Sequence, residues 1–373
     1  MLIRTFAAFA AFALAAAAPA SASENLEAIV KSAMAGSKVP AVGVVVMRDG
    51  KITEQAVRGV RRIDRKTPVG DDDVWLIGST GKVMTVAMVA RLVDRGVLSW
   101  DAPLEKMLPD LSGDMRPEYR NVTLVQLLSH QAGLPRDLRN LRSVENSFTD
   151  TRPFAQQRLS YISKALKDKP ETAPGAAFGY SNTGFLVAAV IAERATGESY
   201  ENLMRKEVFQ PLGMLDVGFG NTIDGQNRGH RLGRPALKMR KFDDGAPPMF
   251  APAGFLHMSL GDWARFNLDQ LAGSKGQGKL LTPASYRLMQ TAQPGSPAGL
   301  DWGVQASIAG RQGPVLVHQG SDGNWLAIAV LFPAQGTGAL VVANAAPEMG
   351  ADKVLHTVAG ALFPTLSPAK KAP

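Results

Sequence analysis

Ser79 and Lys82 are the residues of this sequence whose types and spacing best suit covalent catalysis. They are the ends of the segment STGK, which follows an apolar run, WLI, and opens the helix-period run KVMTVAMVARLVDRGVL. The free N–H groups at a helix start favour negative charge, which stabilises a serine alkoxide. Lys82 lies about one helical turn further on the same face, where its amine can relay the serine proton. The pattern therefore predicts Ser79 as a nucleophile. The same spacing recurs at Ser367 to Lys370, but a proline lies inside it and no helix follows, so context selects Ser79.

A tyrosine is the second candidate for handling that proton. The pattern Y-x-N occurs at Tyr119, Tyr180 and Tyr200. Packing or solvation explains the first and third, whereas Tyr180 lies in a loop of small polar residues at the head of the apolar helix FLVAAVIAERA. A phenol has a pKa of about 10, and a nearby Lys82 ammonium would lower the pKa of Tyr180 and make a phenolate available.

His318 opens the one H-x-G pattern of the sequence, at the end of the strand-like run VLVHQ. A cation there could hold a substrate carboxylate or favour an ionised Tyr180. The backbone N–H of Ser321, just past Gly320, could join the N–H of Ser79 in a two-donor oxyanion hole. An isolated histidine at a strand end is more often structural, but the other patterns favour a functional role here.

Strands at both ends of the chain and helices between them are needed to position these groups. The periodicity predicts strands over 41–47, 51–60, 301–310, 315–319, 325–332 and 339–345, and helices over 79–95, 185–195, 200–209 and 259–271. Ser259 and Asp262 have the spacing of a capping box. The order predicts an α/β (α+β) fold in which an antiparallel sheet from both termini is flanked by helices and carries an inserted, mainly helical lobe. The active site would lie in the cleft between the lobes.

The three ordered motifs resemble those of the penicillin-recognising serine hydrolases. This group comprises class C β-lactamases, soluble D,D-carboxypeptidases, D-aminopeptidases and β-lactamase-like esterases, and its order is S-x-x-K, Y-x-N, then K-T-G or H-x-G. The stretches LLSHQAGLP, PGAAFGYSNTGF, FQPLGM and APAGFLHMSLGDWARF are similar too, so the resemblance runs from about residue 25 to 363. It implies a β-lactamase/transpeptidase-like fold.

The same resemblance implies the roles of individual residues. Ser79 would be the nucleophile, Lys82 and Tyr180 the proton-handling pair, and Asn182 the donor to the amide carbonyl of the substrate. His318 stands where class C β-lactamases have a lysine, so strong β-lactamase activity is not expected. His130 matches a family position after a helix and is interpreted as structural.

The chain ends and composition set further expectations. Residues 1–22 have one cation, an apolar run and the triplet ASA, which predicts a cleaved signal peptide and a periplasmic or secreted protein. One hydrolase domain would then span 23–366, with an α/β lobe of about 23–75 and 251–366, a helical lobe of about 76–250 and a flexible tail, 367–373. The net charge of +8 includes a basic segment, Arg228 to Lys241, which suits either an anionic polymer or plain solvation.

Several other functions fit the sequence poorly. The chain has no Cys, no G-x-S-x-G elbow and no H-E-x-x-H spacing, and the glycine-rich segment 273–279 lacks the Ser or Thr that a phosphate-binding loop needs. We expect no metal, no cofactor, no nucleic acid and no transmembrane anchor after cleavage; the oligomeric state stays open.

The expected partner is a small-molecule or peptide substrate, with peptidoglycan among the candidates. The rival interpretations are a weak class C-like β-lactamase and a penicillin-binding or cell-wall-binding protein that acylates without turnover.

Overall fold

A six-stranded antiparallel sheet of order β2-β1-β11-β10-β9-β8 forms the centre of the fold. The computed structural model describes residues 26–140, 146–222, 226–236 and 245–369. The first strand pairs with the last one, so one sheet combines strands from both ends of the chain, as the sequence predicts. The strands are β1 Ala41–Arg48, β2 Lys51–Gly59, β3 Val74–Leu76, β4 Val217–Phe219, β5 His230–Arg231, β6 Arg234–Pro235, β7 Leu256–Ser259, β8 Gly303–Ile308, β9 Arg311–Ser321, β10 Leu326–Phe332 and β11 Thr337–Ala343.

Both faces of this sheet are covered, because its central strands are apolar at every position. All seven residues of β10 are buried. Successive side chains of a strand point to opposite faces. Val44 and Val46 accordingly join one apolar cluster, whereas Val45 and Met47 join the other. The first cluster is completed by the helices nearest the two chain ends, and the second continues into the helical part of the molecule.

Most helices lie between β3 and β8, among the short strands β4 to β7, while one precedes β1 and one follows β11. They are α1 Leu26–Met34, α2 Lys82–Asp94, α3 Leu104–Met107, α4 Leu124–Leu128, α5 Phe154–Ala165, α6 Thr183–Thr196, α7 Tyr200–Met204, α8 Leu260–Ser274, α9 Pro283–Gln290 and α10 Ala351–Leu366. Every residue from Thr183 to Glu193 is buried, so α6 is the central helix of this part. It packs against α2, α4 and α5.

Several predicted boundaries differ from the observed ones for local reasons. The predicted helix 200–209 is α only as far as Met204 and continues as a π-helical turn, Arg205–Phe209. Ser259 does cap α8, since its Oγ accepts the N–H of Asp262 at 3.2 Å. The carboxylate of Asp262, however, accepts the N–H of Asp216 and not that of the cap residue, so the reciprocal half of the capping box is absent.

The first residues of the predicted tail contact the central sheet. Ser367 Oγ donates to the carbonyl of Gln312 at 2.8 Å, and Ala369 forms a β-bridge with Arg311, so 367–369 are joined to the start of β9. The last four residues, the signal segment 1–22 and part of the basic segment Arg228 to Lys241 lie outside the described residues.

Candidate active site

Ser79 lies on a single 3-10 turn between β3 and α2. The turn spans Gly78–Gly81, and the α-helix begins only at Lys82, one turn later than predicted. Gly78 has a φ of +55°, a left-handed conformation that favours glycine. The Thr80 hydroxyl donates to the carbonyl of Ile77 at 2.7 Å and closes the turn. This geometry fixes Ser79 between a buried strand and a buried helix.

Lys82 is the basic group beside Ser79. Its Nζ donates to Ser79 Oγ at 3.0 Å and also to the carbonyl of Ala253, and its side chain is fully buried. Burial lowers the pKa of Lys82 to about 7, although the negative charge of Asp301 opposes that shift. A large fraction of Lys82 is therefore an uncharged amine near neutral pH, and such an amine can accept the proton of Ser79.

Tyr180 contacts Ser79 from another direction. Its hydroxyl donates to Ser79 Oγ at 2.7 Å. Burial, followed by the charge of Asp301, raises the pKa of Tyr180 well above its ordinary value. Tyr180 is thus a protonated phenol at neutral pH and not the phenolate expected from the sequence. The structure favours Lys82 as the proton acceptor and Tyr180 as a hydrogen-bond donor.

Backbone and side-chain bonds hold the segment that carries Tyr180 and Asn182. The Ser181 hydroxyl donates to the carbonyl of Pro135 at 2.8 Å. The N–H of Asn182 donates to the carbonyl of Arg136 at 2.9 Å. The Asn182 side-chain amide donates to Asp137 Oδ1 at 3.0 Å. Asn182 therefore lies at the start of α6 in the same loop cluster as Tyr180, with its side chain engaged by Asp137.

The end of β9 abuts the turn that bears Ser79. A Cβ atom added to Gly320 would lie 2.5 Å from the Ser79 nitrogen, and one added to Gly78 would lie 2.5 Å from the Ser321 nitrogen. Real Cβ atoms do not approach backbone so closely, so both glycines are required by this contact. The amide groups of Ser79 and Ser321 are consequently neighbours, as a two-donor oxyanion hole requires.

His318 faces Asp301. It is 2% exposed, and its Nε2 lies 2.6 Å from Asp301 Oδ2. The other carboxylate oxygen lies 2.9 Å from Nε2 of His130, and this imidazole is 4.5 Å from the Tyr180 ring, centroid to centroid. Sequence reasoning missed Asp301 and interpreted His130 as structural. The one available signal was an acidic residue enclosed by Leu300 and Trp302.

Within the described ranges, no group of three or more His, Cys, Asp or Glu side chains is arranged to hold a metal ion. No described helix is long and apolar enough to cross a membrane. The loop next to the site does present a cation: the Arg136 guanidinium lies 5.0 Å from the centroid of the Tyr180 ring, and its side chain is 49% exposed.

Comparison with known sequences identifies related proteins. A family model described as Beta-lactamase matches residues 26–362. The D-alanyl-D-alanine-carboxypeptidase/endopeptidase AmpH of Escherichia coli K12 is 27% identical over 295 residues, covering 74% of this chain and 72% of that protein. Penicillin-binding protein 4 of Amycolatopsis lactamdurans is 26% identical over 323 residues, covering 82% of this chain and 81% of that one.

Solved structures share the same fold. The octameric penicillin-binding protein homologue from Pyrococcus abyssi has a TM-score of 0.72 at 23% identity, over 90% of this chain and 76% of that chain. A D-stereospecific amidohydrolase from Streptomyces has a TM-score of 0.67 at 21% identity, over 88% of this chain and 97% of its own. The likeness confirms the predicted β-lactamase/transpeptidase-like fold class.

Proposed function

The chain belongs to the beta-lactamase family of serine hydrolases, and from that premise we propose that it cleaves an amide or ester through an acyl-enzyme at Ser79. The observation that carries this proposal is the position of Ser79 Oγ, 3.0 Å from the Lys82 amine and 2.7 Å from the Tyr180 hydroxyl. A buried amine whose pKa is about 7 has the basicity that a general base needs at neutral pH.

The reaction has two steps. In the first, Lys82 Nζ takes the proton of Ser79 while Oγ forms a bond to the substrate carbonyl carbon, and the oxyanion lies against the amides of Ser79 and Ser321. The bond to the leaving group then breaks, and that group leaves with the proton from Lys82 or through Tyr180. In the second step, Lys82 takes a proton from water while the water oxygen attacks the acyl carbon. The bond to Oγ then breaks, and Lys82 returns the proton to Ser79 Oγ.

The proposed substrates are muropeptides ending in D-alanine, other D-amino-acid peptides, or small acyl esters. Two observations favour a peptide with a free carboxylate. The names of two related proteins specify D-alanyl-D-alanine carboxypeptidase and D-stereospecific amidohydrolase activity. The guanidinium of Arg136, whose side chain is 49% exposed, also lies beside Tyr180. Its Nε is 3.6 Å from Asp137 Oδ2, and its other N–H groups can pair with a substrate carboxylate. His318 suits that role less well, because it is 2% exposed and its Nε2 already contacts Asp301 Oδ2 at 2.6 Å.

A parallel turnover assay tests the substrate class. One preparation is given a D-alanyl-D-alanine peptide, p-nitrophenyl butyrate and a chromogenic cephalosporin, with Ser79→Ala as the inactive control. We expect the cephalosporin to be the poorest of the three substrates. A cephalosporin kcat/KM near the diffusion-limited ceiling of about 10⁸ M⁻¹s⁻¹ would contradict the proposal and support the β-lactamase alternative.

Peptide mapping after labelling tests the nucleophile. A fluorophosphonate should attach to the peptide that contains Ser79, and the adduct should be absent from the Ser79→Ala variant. A protein that is labelled once by a β-lactam but turns over neither peptide nor ester would instead be a penicillin-binding protein without turnover.

We also propose that the protein is exported and acts in the periplasm or outside the cell. The signal-like composition of residues 1–22 supports this localisation, and peptidoglycan fragments would be accessible there.

A further inference from the structure

Three buried side chains from distant parts of the sequence form one hydrogen-bonded chain beneath the proposed site. Asp301 precedes β8, His130 follows α4, and His318 lies in β9. Asp301 is 0% exposed, His130 is 1% exposed and His318 is 2% exposed. Each carboxylate oxygen of Asp301 accepts from a different imidazole, at 2.9 Å from His130 Nε2 and 2.6 Å from His318 Nε2.

The hydrogen bonds show how each imidazole can donate to Asp301. The Nδ1 of His130 accepts the N–H of Ser181 at 3.1 Å, so it carries no proton. His130 is therefore neutral and donates to Asp301 through Nε2–H. In His318 both ring nitrogens face acceptors, because Nε2 faces Asp301 and Nδ1 lies 3.2 Å from the carbonyl of Gln319. His318 can therefore donate to Asp301 through Nε2–H.

The backbone keeps this arrangement at a conformational cost. His130 has a φ of 60° and Asp301 a φ of 69°, in the left-handed region that non-glycine residues rarely adopt. Such conformations persist when the surroundings impose them, and they are concentrated at functional sites. The two histidine-bearing segments also lead directly to the proposed catalytic groups. His130 binds the N–H next to Tyr180, and His318 lies two residues before Gly320 on β9.

We propose that Asp301 is a positioning residue for catalysis, which holds neutral His130 against the Tyr180 segment and His318 in the strand that ends at the Ser79 turn. Asp301 does not touch the substrate. It acts by fixing two segments beside Ser79, the one that carries Tyr180 and the end of β9. The inference rests on the proposed function, since it assigns Asp301 a part in acylation of Ser79. A substitution that removes the charge of Asp301 should slow acylation of Ser79 even in protein molecules that are correctly folded.

Asp301→Asn removes the negative charge and nearly preserves the side-chain shape. We expect kcat for ester hydrolysis to fall at least tenfold while KM changes less than twofold. The fluorophosphonate should still label a full equivalent of Ser79, but more slowly. Asp301→Ala should lose more activity than Asp301→Asn, because the asparagine can still accept one of the two hydrogen bonds.

Glu207→Gln is the matched control. Glu207 is also a buried acid with two cationic partners, Arg91 and Arg95. These lie in the last turn of α2 and at the residue that caps its C-terminus, away from Lys82. We expect Glu207→Gln to lower the melting temperature without changing the labelling rate per site. If Asp301→Asn behaves in the same way, with lost stability but an unchanged rate per labelled site, Asp301 is only structural and the proposal is overturned.

A measurement on the wild-type protein covers the case in which Asp301→Asn does not fold. The chain has only five histidines, so ¹⁵N-histidine NMR can resolve and assign their ring nitrogens by single substitutions. We expect Nε2 of both His130 and His318 to carry the proton that is donated to Asp301, and Nδ1 of His130 to carry none. An unprotonated Nε2 in either ring would overturn the inference. These spectra need no substrate, so they test the inference separately from the proposed function. Absence of Ser79 labelling in the wild-type protein would instead show that the proposed function is wrong.

Discussion

Burial of the Lys82 amine lowers the stability of the folded protein, but it also makes the amine a base near neutral pH. An exposed lysine keeps its proton to a pH of about 10, whereas burial lowers the pKa of Lys82 to about 7. Between these values the unfolded chain binds a proton that the folded protein does not. The free energy of unfolding therefore rises with pH across that window, and the full cost is present below it.

Lys82→Met should consequently stabilise the protein while abolishing acylation. Below pH 7 we expect a gain on the order of a few kcal/mol, reduced by about 1 kcal/mol for each of the two hydrogen bonds that methionine cannot make. The gain should shrink as pH rises from about 7 towards 10. Urea unfolding at pH 6 and pH 9.5 measures it. A difference between variant and wild type that stays constant with pH would show that Lys82 is not strained by burial.

Arg136 and Asp137 should shift the pH dependence of activity in opposite directions. Activity should rise as Lys82 loses its proton, and the positive charge of Arg136 lowers the pKa of Lys82 whereas the negative charge of Asp137 raises it. With a neutral ester, Arg136→Gln should move this rise to higher pH and Asp137→Asn to lower pH. Both groups are partly exposed, so 1 M salt should reduce both shifts. Identical pH profiles of the wild type and both variants at low salt would show that these two charges do not influence the pKa of Lys82.

The residues that sequence could identify are those whose function depends on local spacing. Ser79 and Lys82 are three residues apart, on the 3-10 turn and at the start of the α-helix that continues it, so their proximity follows from local helical spacing. Asp301 is different, because His130 lies 171 positions away from it and only the folded sheet and loops bring them together. The protonation of Tyr180 also escaped prediction, since it depends on burial and on the charge of Asp301, neither of which a sequence pattern records.

At the scale of elements, strands were easier to predict than helix starts. The strands β1, β10 and β11 are continuous apolar runs, and burial of both sheet faces accounts for that composition. The start of α2 was placed too early because the 3-10 turn has nearly the same residue spacing as an α-helix. α10 was not predicted, although it covers one face of the sheet through residues such as Val354, Leu355 and Val358.

The contact between the end of β9 and the Ser79 turn makes a prediction about Gly320. Gly320→Ala would place its Cβ 2.5 Å from the Ser79 nitrogen and 2.6 Å from both Ile77 O and Thr80 N, so backbone must move. Losing one oxyanion donor typically costs 10²- to 10³-fold in rate, and we expect a loss of at least about 100-fold in acylation. Labelling kinetics with the fluorophosphonate measures it.

Gly360→Ala is the control for that substitution. Gly360 lies in α10 with no atom within 4 Å of an added Cβ, so alanine should raise stability by up to about 1 kcal/mol and leave the labelling rate unchanged. A labelling rate in Gly320→Ala equal to that of the wild type would mean that the Ser79 turn and the end of β9 can separate without affecting the oxyanion hole.

For the whole molecule, the predicted export has a direct test. Expression of the full chain in a bacterial host should yield a mature protein that begins at Ser23, because the small residues of the ASA triplet suit signal peptidase. Ala22→Arg should block this processing and leave the precursor. Intact-mass spectrometry of the purified protein distinguishes the two forms. A wild-type protein that retains residues 1–22 in the extracytoplasmic fraction would contradict the cleavage site.

The pairing of β1 with β11 also determines when folding can finish during synthesis. The N–H of Ala41 donates to the side chain of Asn344, which lies 303 positions later, and Val42 pairs with Ala343. A ribosome therefore releases β1 long before the strand that covers its second edge, and that edge meanwhile exposes unpaired N–H and C=O groups to other chains. Contacts between such distant residues also slow folding. A chain that stops before Thr337 would leave β1 and β10 each with an uncovered edge, so nascent and truncated chains of this protein should depend on chaperones until the last strand emerges.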